Sequence, residues 1–178
     1  RARAATLLLM ALPGSVYLYE GEELGLPEVW DLAVDVLDDP VWENSGHRYK
    51  GRDGCRVPIP WTADGPSFGF GSGQAWLPQP DEFGALSVEA QTGVSGSTLE
   101  TYRAALALRR TYCTADERFD WIDLGRDVLA FRRGSGLICV VNFGRRAAAL
   151  PACEVLVASV PDVTTALPSD AAAWILPA

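Results

Sequence analysis

The first nineteen residues set the hardest constraint on what this chain can build. Residues 2–12 are rich in Ala and Leu, favour a helix, and offer no polar face beyond Arg3. A helix apolar nearly all round belongs inside a larger assembly. Pro13-Gly14 stops it. Ser15-Val-Tyr-Leu-Tyr19 follows, a short aromatic and β-branched run that reads as a buried strand of parallel type. Helix, tight turn and buried strand make half of a βα repeat. Such a half-repeat leaves apolar surface uncovered unless more of the same layer surrounds it. The expectation is therefore a piece of something longer, and the opening Arg-Ala-Arg-Ala-Ala agrees with it. A secretory leader also begins with basic residues before an apolar run, but Pro13-Gly14 leads straight into the β-type run with no small-residue cleavage site.

After Glu20-Gly-Glu-Glu-Leu-Gly25, residues 26–96 show no sustained periodicity and are rich in Pro, Gly, Trp and Asp. So long an irregular stretch in a folded protein is a functional loop or a linker. The tryptophans at 30, 42, 61 and 76 argue against a solvated linker. A clear helix follows from Ser97 to Tyr112. Ser97 and Glu100 form a capping box, Leu99, Tyr102 and Leu106 share a face, and Arg109 and Arg110 complement the dipole in the last turn.

From Phe119 the texture changes to short strands: Phe119–Leu124, Val128–Arg133, Leu137–Phe143, Ala147–Leu150, Glu154–Val160 and Ala172–Leu176. Gly134-Ser-Gly136 marks a hairpin between two of them. This spacing suggests a small antiparallel sheet or sandwich. The fold expected is α/β plus β, with residues 1–115 and 116–178 as its two parts.

Composition removes several function classes. The chain has 178 residues, 48% of them apolar, so wholesale disorder is excluded. Its net charge is −8 and no Lys/Arg stripe appears, so there is no footprint for a nucleic acid. The longest apolar run, Ala4 to Leu12, is too short to span a bilayer. The cysteines at 55, 113, 139 and 153 show neither a CxxC nor a zinc pattern, and reduced thiols in a cytoplasmic protein are expected.

Two long motifs carry a family resemblance. Leu12-Pro-Gly-Ser-Val-Tyr-Leu-Tyr-Glu-Gly-Glu-Glu-Leu-Gly25 resembles the eighth barrel strand and following loop of α-glucosidases, of the oligo-1,6-glucosidase type, in the α-amylase superfamily of glycoside hydrolases. Gly51-Arg-Asp-Gly-Cys-Arg-Val-Pro-Ile-Pro-Trp61 resembles a second hallmark of that subgroup, in the same order. Trp76-Leu-Pro78, Val88-Glu-Ala-Gln91, Ala-Leu-Arg-Arg110 and Val140-Val-Asn-Phe143 extend the likeness over the chain. The resemblance implies the last βα unit of a (β/α)8 barrel over residues 1–115, comprising strand, long active-site loop and last helix, followed by an all-β domain over 116–178. Barrel enzymes carry their active sites on the loops after the strands, and the 26–96 stretch is such a loop.

The resemblance also implies a retaining glycosidase, whose two reacting carboxyl groups stand roughly 5–5.5 Å apart. In the family these groups, and a third acidic residue in an Asn-His-Asp motif, belong to earlier strands, and nothing here matches their motifs. No catalytic residue is therefore assigned within this chain, and the fragment alone is expected to be inactive. No cofactor and no metal is implied. The partners expected are an oligosaccharide or disaccharide substrate and the missing N-terminal portion of the barrel, with no nucleic acid and no membrane.

Substrate-binding candidates are Arg52, Asp53 and Glu23. Arg52 offers a rigid fork of donors to sugar hydroxyls or to a catalytic carboxylate. Asp53 can hold it or accept from a hydroxyl, and a purely loop-stapling role for the pair stands beside substrate contact. Glu22 and Glu23, adjacent on what reads as an extended segment, point to opposite faces and cannot flank one bond. A structural hydrogen-bonding role is favoured for them over a sugar contact. Trp61 and Trp76 pack the loop or serve as sugar platforms. His47 has no partner visible in the sequence. Asp35, Asp38 and Asp39 lack calcium-loop spacing, and Gly69-Phe-Gly-Ser-Gly73 lacks the helix and Lys-Ser/Thr of a phosphate cradle.

The function expected is that of the C-terminal part of an α-glucosidase acting on short α-linked glucosides. The alternatives are a related enzyme that transfers the glucosyl group or isomerises a disaccharide, and a non-catalytic fragment or carbohydrate-binding module.

Overall fold

The computed structural model describes residues 1–113 and 118–178, so the expected boundary at 115/116 lies outside the described residues. Among the described residues, the helices are α1 (Ala2–Ala11), α2 (Pro40–Asn44), α3 (Val88–Gln91) and α4 (Thr98–Tyr112). The strands are β1 (Phe119–Ile122), β2 (Val128–Arg133), β3 (Ile138–Asn142), β4 (Ala148–Ala149), β5 (Cys153–Ala158), β6 (Ala166–Leu167) and β7 (Ala171–Pro177). No described helix is long and apolar enough to cross a membrane. The chain divides into two compact units, one of residues 1–18 with 95–178 and one of residues 19–94.

The first unit is built on an antiparallel sheet ordered β1-β2-β3-β7-β5, beside a two-stranded β4-β6 ribbon. The β2–β3 hairpin turns at Gly134–Gly136, where Arg133 N–H donates to Leu137 O at 2.8 Å. All of β3 and the first five residues of β7 are buried, because both faces of the sheet are covered. On one face Phe131, Cys139, Val141 and Trp174 pack against Leu7, Met10 and Ala11 of α1 and Tyr102 and Ala105 of α4. On the other, Ala130, Ile138, Val140, Ala173 and Ile175 pack with Val163 and Leu167. The short β6, absent from the sequence reading, contributes that Leu167; two residues are too few to carry an alternation.

Side chains from the sheet and from α4 tie α1 in place. Trp174 Nε1 donates to Leu7 O at 2.9 Å, and Arg133 Nη1 to Ala11 O at 2.6 Å. Arg109 donates to the carbonyls of Met10, Leu12 and Gly14. The bonds to Met10 O and Ala11 O take up carbonyls that the helix end leaves without intrahelical partners. The expected cap at Ser97 is present, its hydroxyl accepting Glu100 N–H at 3.2 Å.

The structure departs from the sequence reading at Ser15–Tyr19. This segment is not a ladder strand, and Tyr17 is 91% exposed. A parallel strand exists only by pairing with neighbours, and none of the described strands pairs with it.

The second unit, residues 19–94, is a folded loop region of 3₁₀ turns and short helices. Its core is Val29, Leu32, Val57, Leu77 and Phe83, with Leu26, Leu37 and Phe68 against it. Gln91 is its buried polar tie, donating to Leu24 O at 2.9 Å and Leu86 O at 2.8 Å. Tryptophans do not make this core: Trp30, Trp61 and Trp76 are exposed. Aliphatic residues spaced irregularly along the loop make it, which is why no periodicity announced it.

Candidate functional site

The Gly51–Arg56 segment is held by two buried carboxylates. Asp53 Oδ2 accepts the backbone N–H groups of Asp38 and Asp39, both at 2.8 Å. Its Oδ1 accepts Arg56 Nη1 at 3.2 Å. Asp39 caps α2, with Oδ1 accepting Val41 N–H at 2.9 Å and Pro40 in the first helical position. Asp39 Oδ2 accepts the Arg52 N–H at 3.1 Å and pairs with Arg56 Nη1 at 2.9 Å. The N–H groups of Val41 and Arg52, and after them the Arg56 guanidinium, hold the Asp39 carboxyl below the ordinary carboxylate range.

The two glycines of the motif are required by this knot. Gly51 has φ +76°, and a Cβ there would stand 2.5 Å from Asp39 Cγ. A Cβ on Gly54 would stand 2.5 Å from Val29 O, in a backbone crossing where Val29 N–H donates to Gly54 O at 3.0 Å.

What the knot presents is Arg52. Its side chain is 77% exposed, with Nε 3.9 Å from Asp39 Oδ2, while its backbone is fixed by that same carboxylate. It stands on the wall of a cleft of about 540 Å3, with Trp30, Tyr49 and Glu28 also lining it. Trp30 and Tyr49 are 75% and 69% exposed, so flat apolar faces and a guanidinium share one concavity. Lys50 is spent on structure there, its Nζ donating to Leu32 O at 2.6 Å and Trp30 O at 3.2 Å.

The two sequence motifs meet where Tyr19 stands beside Cys55; burial, then the charges of Cys55 and Glu20, push the Tyr19 hydroxyl up. Cys55 in turn donates to Arg52 O at 3.2 Å. Glu23 stands outside the knot. Its Oε2 accepts Gly21 N–H at 2.9 Å, and Glu22–Leu24 is a 3₁₀ turn rather than the extended segment expected. Such a local bond to the backbone closes the turn.

Of the three candidates, the structure therefore joins Arg52 and Asp53 through Asp39 and leaves Glu23 apart. Sequence reading passed over Asp39 and Arg56. The Asp-Pro pair at 39–40 is a helix-start signal that could have marked the first; for the second, the i,i+3 spacing to Asp53 was a local signal, whereas its pairing with Asp39, 17 residues away, was not legible. His47 does have a partner: its Nε2 is 3.1 Å from Glu43 Oε2, and its ring stacks on Trp42 at 4.7 Å. Among the described residues no group of His, Cys, Asp or Glu has the arrangement of a metal centre.

Comparison with known proteins identifies the family. Residues 1–117 match the model of the alpha amylase catalytic domain. The chain is 35% identical over 151 residues to a probable alpha-glucosidase of Rhizobium meliloti (strain 1021), covering 83% of this chain and 27% of that protein. It is 32% identical over 158 residues to the salivary alpha-glucosidase of Anopheles gambiae, covering 85% of this chain and 26% of that protein. The crystal structure of an alpha-glucosyl transfer enzyme, XgtA, superposes with a TM-score of 0.77 at 35% identity, covering 99% of this chain and 35% of that one. The chain thus spans about a quarter to a third of the length of these relatives. It belongs to the alpha-amylase family, as an alpha-glucosidase-like member.

Proposed function

We infer that this chain is the C-terminal part of a retaining α-glucosidase that releases α-linked glucose from oligosaccharides or disaccharides, with the catalytic carboxylates on residues outside this sequence. The observation that carries the reading is the 35% identity to a probable alpha-glucosidase over 83% of the chain. On this reading residues 15–19 join the barrel as its last strand, residues 26–96 are the loop over the active site, and α4 is the last barrel helix. The turn at Gly14 and the unpaired extended segment after it are consistent with that. The boundary to the β-domain falls near 115. The four free thiols fit a cytoplasmic protein, which fractionation of the source cells tests directly.

In this assembly Arg52 is the substrate-binding group. Its exposed guanidinium donates to sugar hydroxyls on the leaving-group side or to an acidic catalytic group. Asp53 acts through Arg52, by fixing the loop backbone from which Arg52 projects. Glu23 acts more remotely, by closing the turn that begins the loop. None of the three moves a proton. The reaction is left to a carboxylate nucleophile and a carboxylic acid/base elsewhere in the parent protein.

The experiment is kinetic. In the parent enzyme, Arg52→Ala lowers kcat/KM on a nitrophenyl α-glucoside or maltose by about 10–100-fold, the worth of a charge-assisted hydrogen bond, while the fold is unchanged by circular dichroism. An unchanged kcat/KM removes Arg52 from the site. The isolated 178-residue chain gives no hydrolysis above background, and measurable turnover by it overturns the placement of the carboxylates.

A second reading is favoured by one observation, the 35% identity over 99% of this chain to an enzyme described as transferring an α-glucosyl group. Transfer to a sugar replaces transfer to water when an acceptor is held against the glucosyl intermediate. Product analysis with excess maltose separates the two: free glucose supports hydrolysis, and lengthened oligosaccharides support transfer.

A further inference from the structure

In the unit formed by residues 1–18 and 95–178, a cleft of about 710 Å3 lies between the β1–β2 and β3–β4 loops. Arg126 and Asp127 line it from the first loop, and Phe143, Arg145 and Arg146 from the second. All three arginines are exposed, and none of their guanidinium groups is in an ion pair or a hydrogen bond among the described residues. Asp127 is the one carboxylate on the wall. The local excess of cations is opposite in sign to the net charge of −8 on the chain.

The cleft is also rigid. Asn142, buried at the end of β3, donates from Nδ2 to Arg146 O and Leu167 O, both at 2.9 Å, and accepts Gly144 N–H at 2.8 Å. Phe143 N–H donates to Asp127 O at 2.9 Å, which joins the two loops. These bonds hold the loop backbone at Asp127, Phe143, Gly144 and Arg146 without a ligand, which lowers the loop-ordering cost of binding. Between the charges the Phe143 ring is 58% exposed, an apolar face beside the cations.

Three guanidinium forks facing one space suit a ligand with several acceptor oxygens and more than one negative charge, which is the chemistry of a phosphate group. The volume exceeds that of a lone phosphate and leaves room for a ring against Phe143. We propose that this cleft binds a phosphate group, carried by a small phosphorylated sugar or present as free phosphate. This site stands on its own residues and is independent of the assignment of Arg52.

The test is isothermal titration calorimetry on the 178-residue chain at low salt, with glucose 6-phosphate, inorganic phosphate and glucose. Both phosphate ligands bind and glucose does not. Tighter binding of glucose 6-phosphate identifies the ester as the ligand; equal binding identifies free phosphate. The pair Arg145→Ser and Arg146→Ser weakens binding at least tenfold. Arg145→Lys with Arg146→Lys retains part of it, and binding falls steeply as salt is raised and the Debye length shrinks. Phe143→Ser weakens the ester alone. Glucose binding as well as its phosphate, an affinity unmoved by the Ser pair, or absence of binding by both phosphates overturns the proposal, as does a response confined to an acidic peptide, which would make the cleft a protein-docking surface.

Discussion

Truncating Asp53 to Ala strips the N–H groups of Asp38 and Asp39 of their acceptor and leaves Arg56 with Asp39 alone. The Asp39 N–H is buried and the Asp38 N–H only partly so; a buried donor left unpaired costs about 1–3 kcal/mol, so Asp53→Ala destabilises the loop by about 1–3 kcal/mol. The check is hydrogen exchange, with protection lost at the amides of residues 38, 39 and 52 and kept in β3 and β7. Arg52→Ala, on an exposed side chain, leaves that protection intact. Acid acts on the same knot through Asp39. Its carboxyl titrates lower in the folded loop than in the open chain, so the stability it contributes is complete above the ordinary carboxylate pKa, near about 4. That stability is lost as pH falls from there through the lower folded value. The protection factors of the Val41 and Arg52 amides, taken against the intrinsic rate at each pH, therefore hold at about pH 5 and fall only below about pH 4. The two motif residues were legible as a pair from their type and spacing. Their division of labour was not, since burial separates them and adjacency in sequence says nothing of burial.

At the scale of elements, α1 is held through its C-terminal carbonyls more than through its own capping. No side chain caps its N-terminus. Its end is closed by Arg109, reaching from α4 to three carbonyls. Arg109→Ala removes those bonds and costs about 1–3 kcal/mol, lowering Tm by about 4–24 °C for a unit of this size. Arg110→Ala one residue on is exposed and nearly silent. Thermal melts followed by circular dichroism distinguish the two. The sequence reading placed both arginines in the dipole-complementing last turn, and it recovered the helix, its Ser97 cap and the bounds of β2. The tertiary bond that makes one arginine matter was beyond it, because the partners lie more than ninety residues away. Ser15–Tyr19 is unpaired in this chain for a related reason: composition reports that a segment suits a sheet, while pairing depends on which strands are within reach.

For the whole molecule, the first unit presents an outward apolar surface that its own residues do not cover. Leu9 on the outer side of α1 is exposed, as are Tyr17 and Leu18 on the extended segment beyond it. Residues 15–18 also carry backbone groups without ladder partners, the situation that makes a bare strand edge pair with other chains. These are the residues whose composition demands neighbours, and the apolar pattern of the first nineteen residues is matched by surface that this chain leaves uncovered. The expected behaviour of the 178-residue chain is hydrophobic dye binding at neutral pH and self-association that increases with concentration. Leu9→Lys with Tyr17→Ser reduces both, since each change replaces exposed apolar area by a solvated group without touching the core formed by Leu7, Met10 and Trp174. Sedimentation velocity of the two forms across a concentration series decides it. A shift to monomer in the double variant, with an unchanged melting curve, assigns the association to this surface. Association that persists unchanged locates the sticky surface elsewhere, with the exposed Trp30 and Trp76 of residues 19–94 as the next to replace.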